Sequence, residues 1–129
     1  MSKVAAGLFV VVSFVAGLLL LVFAGAAAGS RSQECATIKA SGHVYGLGGT
    51  KVSCSFMTKW ATPLANKKLT AHSIGVTLSG GPSGFKCVGS TYTLAKYFPG
   101  VGPTTQVSGY CRKGSSLTAP YFSWKVKTG

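Results

Sequence analysis

The first 28 residues constrain this chain more than any other stretch. After Lys3, residues 4–28 carry no charged side chain. The densest part, residues 9–23, is Phe, Val, Leu and Ala interrupted only by Ser13 and Gly17. Ala24, Gly25, Ala26, Ala27, Ala28 and Gly29 then close the block with small residues. A lone basic residue, an apolar block and a small-residue run form the layout of an export signal. As a helix, residues 4–23 would be about 30 Å long, enough to cross a hydrocarbon core, and the block exceeds the usual signal middle. Two outcomes stay open: cleavage after Ala26 or Ala28, or retention as a signal anchor with the remainder outside. Lys3 is a weak orientation cue because Arg31 stands at the other end. The expected organisation is residues 1–28 as signal peptide or uncleaved anchor, 29–33 as a flexible lead-in, and 34–129 as one disulfide-stapled domain. That domain is expected to be secreted, or held on the outer face of the plasma membrane.

The compartment decides how the cysteines read. Cys35, Cys54, Cys87 and Cys111 all follow the leader. An even count in a small exported domain indicates two disulfides, for which three pairings exist. The segments holding Cys87 and Cys111 flank a long irregular stretch as a hairpin pair, which favours joining them. Cys35 and Cys54 then join the first strand to the start of the helix. Each favoured loop of roughly 20 residues would stabilise by about 3 kcal/mol in the chain-entropy model. That matters for about 100 residues, which bury only a modest core. No C-x2-C or H-x3-H spacing occurs, and His43 and His72 stand alone, so neither a metal site nor a cofactor is expected.

Charge narrows the partners. The chain holds 13 Lys and Arg against one acid, Glu34, for a net charge of +12, one less once Lys3 leaves with the leader. Such a surface attracts polyanions. Outside a cell these are anionic wall polymers, phospholipid headgroups and released nucleic acid. The basic residues are scattered and no nucleic-acid-binding module is recognisable, so specific nucleic-acid binding is not expected. The chain is read as a monomer.

The pattern after the leader is mostly β. Residues 34–40 mix β-branched and small residues and read as a first strand. Ser41 and Gly42 break it, residues 43–45 form a short return, and Gly46, Leu47, Gly48 and Gly49 read as a loop. Phe56, Trp60 and Leu64 then recur at intervals of four, with Met57 and Ala61 beside them, which is one apolar face of a helix. Ser53 or Ser55 can cap its N-terminus. Pro63 removes a donor and crowds the carbonyl of Lys59, so the helix is expected to kink or end near Ala61. Residues 69–79 alternate, with Ile74, Val76 and Leu78 on one side, as in a half-buried strand that Gly75 weakens. A Gly-Pro-rich turn follows at 80–84, then strands over 85–90 and 106–112. The cleanest alternation is at 121–127, where Phe122, Trp124 and Val126 face one way and Tyr121, Ser123, Lys125 and Lys127 the other. The expected fold is α+β: a small antiparallel sheet of about 4–5 strands with one short helix packed on it.

Short segments in this order carry a resemblance. Val52-Ser53-Cys54-Ser55-Phe56 with Lys59-Trp60-Ala61, Gly81-Pro82-Ser83-Gly84-Phe85-Lys86-Cys87, Gly109-Tyr110-Cys111-Arg112-Lys113 and Phe122-Ser123-Trp124 resemble small secreted four-cysteine proteins of actinobacteria. The likeness spans roughly residues 35–127. It departs at Pro63, where such proteins continue a basic helix. It implies secretion and disulfides and supplies no catalytic residue.

Three functions come into question for such a chain. The first is a non-enzymatic domain that associates with anionic cell-wall polymers or a phospholipid surface. Its candidate contact residues are Lys125 and Lys127 on the outer strand face, with Lys96, Tyr97 and Phe98 in the irregular stretch 91–105. That stretch either presents its aromatics to a partner or folds Tyr97 and Phe98 back over the core. The second is a secreted antimicrobial or inhibitor-like protein. The third, a hydrolase, is disfavoured. Sugar hydrolysis uses two carboxylates where only Glu34 exists, and a Ser–His pair at His43 or His72 would have no aspartate to orient it.

Overall fold

The computed structural model describes residues 32–91 and 98–127 of the 129-residue chain. Strand β1 (Gln33–Ala40) and strand β2 (His43–Thr50) form a hairpin, helix α1 (Cys54–Ala65) follows, and then come β3 (Val76–Leu78), β4 (Lys86–Ser90), β5 (Ser108–Arg112) and β6 (Tyr121–Val126). All pairings are antiparallel, in the order β1-β2-β6-β5-β4-β3. The helix packs on one face, against β1, β2 and β6. Leu69, Phe98 and Val101 pack against the same core from outside the regular elements. Among the described residues no helix is long and apolar enough to cross a membrane. The leader lies outside the described residues.

Strand β6 organises the core. Its three inward residues, Phe122, Trp124 and Val126, are all buried, as period-two alternation requires. Trp124 is paired with Gly109 across the strands. A Cβ on Gly109 would sit 2.1 Å from the indole, so the ring occupies space that any side chain would claim. Phe122 meets Phe56 edge-on at 5.9 Å and Phe85 at 5.9 Å, linking helix, sheet and the turn before β4. Cys87 and Cys111 face each other directly in the β4–β5 ladder and are bonded, while Cys35 is bonded to Cys54 at the start of α1. Both bridges match the pairing that the sequence favours, and such bridges fit an oxidising compartment.

Cys35 can reach the helix because β1 is bulged. Cys35 pairs with Leu47 and Ile38 with Tyr45, so three steps on β1 match two on β2. The extra residue lets Cys35 and Ile38, which differ in parity, both turn inward. Met57 Sδ lies 3.6 Å from Cys35 Sγ and packs against the bridge.

The sheet has six strands rather than the expected 4–5, and the difference begins at the glycine run. Gly46, Leu47, Gly48 and Gly49 continue β2 instead of forming a loop, because that strand is central and its backbone is paired on both sides. At Gly49 a Cβ would fall 2.6 Å from Tyr121 O and 3.0 Å from Met57, so glycine admits the helix side chain there. The strand expected over residues 69–79 shrinks to Val76–Leu78. Backbone N–H groups of Ser73 and Gly75 bond to Thr91 Oγ1 and Ser90 Oγ, and positive φ at His72 and Gly75 bends the chain, leaving Ile74 85% exposed.

The helix also runs past Pro63 to Ala65, beyond the end expected near Ala61. Ser53 caps it by accepting from Phe56 N at 3.2 Å. Tertiary contacts hold the last turn that proline would loosen. Leu64 and Ala65 are fully buried, and Asn66 accepts from Ser41 N at 2.7 Å. The strongest of these contacts comes from Gln106, which is completely buried. Its Nε2 donates to Leu64 O at 2.7 Å and Lys67 O at 2.9 Å, while its Oε1 accepts from Trp124 Nε1 at 3.2 Å. Its backbone oxygen accepts from Tyr45 OH at 2.6 Å. One residue thus joins the helix exit and β6 through its side chain and β2 through its backbone, and no buried polar atom is without a partner among the described side chains.

Candidate functional site

The helix covers one face of the sheet, and the other face presents its side chains outward. Strand register arranges the outward residues of that face in rows. Tyr121 stands beside Arg112 and Lys86; Ser123 beside Tyr110 and Val88; Lys125 beside Ser108 and Ser90. On the opposite flank of β6, Lys125 pairs with Gly46 and Ser123 with Gly48. Glycines on β2 keep that flank low.

Two hollows result, and Lys125 borders both. A groove of about 480 Å³ runs over β4, β5 and β6, with Tyr110, Tyr121, Ser108, Ser123 and Ile74 among its lining. A second of about 320 Å³ lies over β1, β2 and β6, with Gly46, Gly48, Lys127 and Glu34 around it. Tyr110 is 41% exposed, and its ring centroid is 5.7 Å from that of Tyr121. The Arg112 guanidinium lies 5.3 Å from the Tyr121 ring centre, within cation–π range, which keeps both side chains in place. The face therefore offers rings, hydroxyls and cations on a rigid floor.

The residues singled out in the sequence divide. Lys125 and Lys127 are exposed on this face, where alternation puts them. Phe98 is half-buried and packs against the core, so of the two arrangements open for it, folding back is the one found. Lys96 and Tyr97 lie outside the described residues. Tyr110, Tyr121 and Arg112 were not singled out as contacts, although Tyr110 and Arg112 flank Cys111 at the alternate positions that must face away from a buried cysteine. His43 begins β2 half-buried and His72 is exposed in the bend before β3. Among the described residues no three His, Cys, Asp or Glu side chains are grouped to hold a metal ion. Burial pushes the Tyr45 phenol up to about 12, but its hydroxyl donates into the core rather than the groove.

No protein-family model, curated protein or solved structure matches this chain.

Proposed function

We propose that this protein is a secreted or surface-tethered, non-enzymatic domain, akin to the small secreted four-cysteine proteins it resembles, whose sheet face opposite the helix binds anionic polymers of the cell envelope. The observation that carries this reading is a face with Arg112, Lys86, Lys125 and Lys127 on it, in a chain whose only acidic side chain is Glu34. The one acidic side chain, Glu34, borders the hollow that Lys125 and Lys127 also border, so the face keeps an excess of positive charge that attracts a polyanion. A polymer is favoured over a bilayer because the two most exposed aliphatics among the described residues sit at opposite ends of the strands. Ile74 is beside Ser90, and Leu117 is in the turn after Arg112. Among the described residues these two do not join into one apolar patch.

Co-sedimentation of the purified protein with isolated cell walls tests the reading. Binding at low ionic strength that falls steeply as salt shortens the Debye length from about 30 Å to about 8 Å supports it. Absence of binding in low salt, or retention on anionic vesicles but not on walls, overturns it. Intact mass of the protein recovered from medium and from membranes tests export and shows whether the leader is removed.

A further inference from the structure

Resting on that reading, we infer that the groove over β4, β5 and β6 takes one class of envelope polymer: an acidic polysaccharide whose anionic groups are separated by uncharged sugar rings. The order of side chains along the strands carries the inference. Arg112 and Lys86 are in register with Tyr121, which lines one end of the groove, and so flank that end. Next come Tyr110 and Ser123, then Ser108 and Ser90 beside Lys125. Cations thus occur at the two ends, four residues apart along β6 from Tyr121 to Lys125, which is about 13 Å at the rise of an extended strand. Between them lie Tyr110, Ser123 and Val88, with the Tyr121 ring in the Arg112 row.

A polyanion charged at every unit would leave charges opposite the uncharged middle row and gain nothing from the rings. A sugar chain fits each part. Its C–H faces lie on the tyrosines, as apolar surface does on aromatic rings at interfaces. Its hydroxyls exchange hydrogen bonds with Ser108 and Ser123, each of which can donate and accept. Its carboxylates or phosphates meet the cations at either end, where charge-assisted bonds are strongest. The Tyr110–Tyr121 pair and the Arg112 contact hold the platform before a ligand arrives, which lowers the ordering cost of binding.

The test is calorimetric titration of the purified protein at low salt with two probes of equal carboxylate concentration: a hyaluronate oligosaccharide, with a carboxylate on alternate sugars, and polyacrylate, with no sugars. The expected result is at least about tenfold tighter binding of hyaluronate. Tyr110→Val and Tyr121→Val should each remove most of that excess and leave polyacrylate binding unchanged, Tyr110→Phe should keep it, and Lys125→Gln should weaken both probes. If the valine variants fail to fold, Ser108→Gln, which raises a longer side chain from the groove floor, should remove the excess instead. Equal binding of both probes overturns the sugar inference and leaves the envelope-polymer reading standing. Hyaluronate preference that survives every groove variant overturns the placement of the site. Binding of neither probe overturns both proposals.

Discussion

Replacing Gln106 by methionine should cost about 3 kcal/mol, an unusually large effect for a change that nearly conserves volume. Four contacts decide the magnitude. The side-chain amide donates to Leu64 O and Lys67 O and accepts from Trp124 Nε1. Leu64 O keeps a second donor, Lys67 N at 3.2 Å, and Tyr45 bonds the backbone oxygen, which methionine retains. Lys67 O and the indole N–H are therefore the groups that lose their partner. A buried polar group left so costs about 1–3 kcal/mol, which applies in full to the indole N–H and less to the part-buried Lys67 O, and the thioether returns part of this as apolar burial. Urea unfolding with both disulfides intact measures the loss. With an m-value of about 2 kcal/mol/M the midpoint should fall by about 1.5 M, a large share of a total stability of about 5–15 kcal/mol. In the background of Trp124→Phe the same substitution should cost about 1 kcal/mol less, because the indole donor is already gone. A single-variant loss below about 1 kcal/mol, or strict additivity in the double variant, would refute the claim that this amide ties helix to sheet.

Other consequences are as open to measurement. Gly109→Ala should destabilise by about 3 kcal/mol, since the new methyl meets the Trp124 ring at 2.1 Å; near-wild-type melting would show that the indole can move aside. The Tyr45 phenol, held at about 12 by burial, ionises earlier in the unfolded chain, near 10. The unfolded state then binds fewer protons between these values, so stability is full below pH 10 and should fall by roughly 2–3 kcal/mol as pH rises to 12. Tyr45→Phe should be less stable at neutral pH yet lose less over that window, and equal alkaline slopes for the two proteins would count against the assignment. Replacing Cys87 and Cys111 together by serine should cost about 3 kcal/mol through the loop of separation 24, read as a lowered denaturation midpoint under non-reducing conditions.

How far the fold is legible in the sequence depends on how local its cause is. The alternation at 121–127 and the four-residue spacing in α1 are local, and both survive intact in the structure. The glycine run at 46–49 misleads because its meaning is set by partners: β1 and β6 on its flanks and Met57 above Gly49. Pro63 misleads for a similar reason, since the contacts that hold the turn beyond it come from Ser41 and Gln106. Nothing in the neighbours of Gln106 distinguishes it from a surface glutamine, and the bulge in β1 leaves no mark on residues 35–38. Of the site, Lys125 and Lys127 follow from strand periodicity. The tyrosine platform needs the register between β5 and β6, which brings Tyr110 beside Tyr121, residues that the sequence holds apart.

The two covalent rings, closed between 35 and 54 and between 87 and 111, follow one another along the chain and are neither nested nor interlaced. Each therefore closes on a contiguous stretch, and neither must thread or wait for the other. Were the chain exported from its N-terminus, as proposed above, it would complete the first ring when Cys54 emerges, before Cys87 is present to compete. Mispaired species, each of which joins a cysteine of one ring to a cysteine of the other, cannot start to form until Cys87 has followed Cys54.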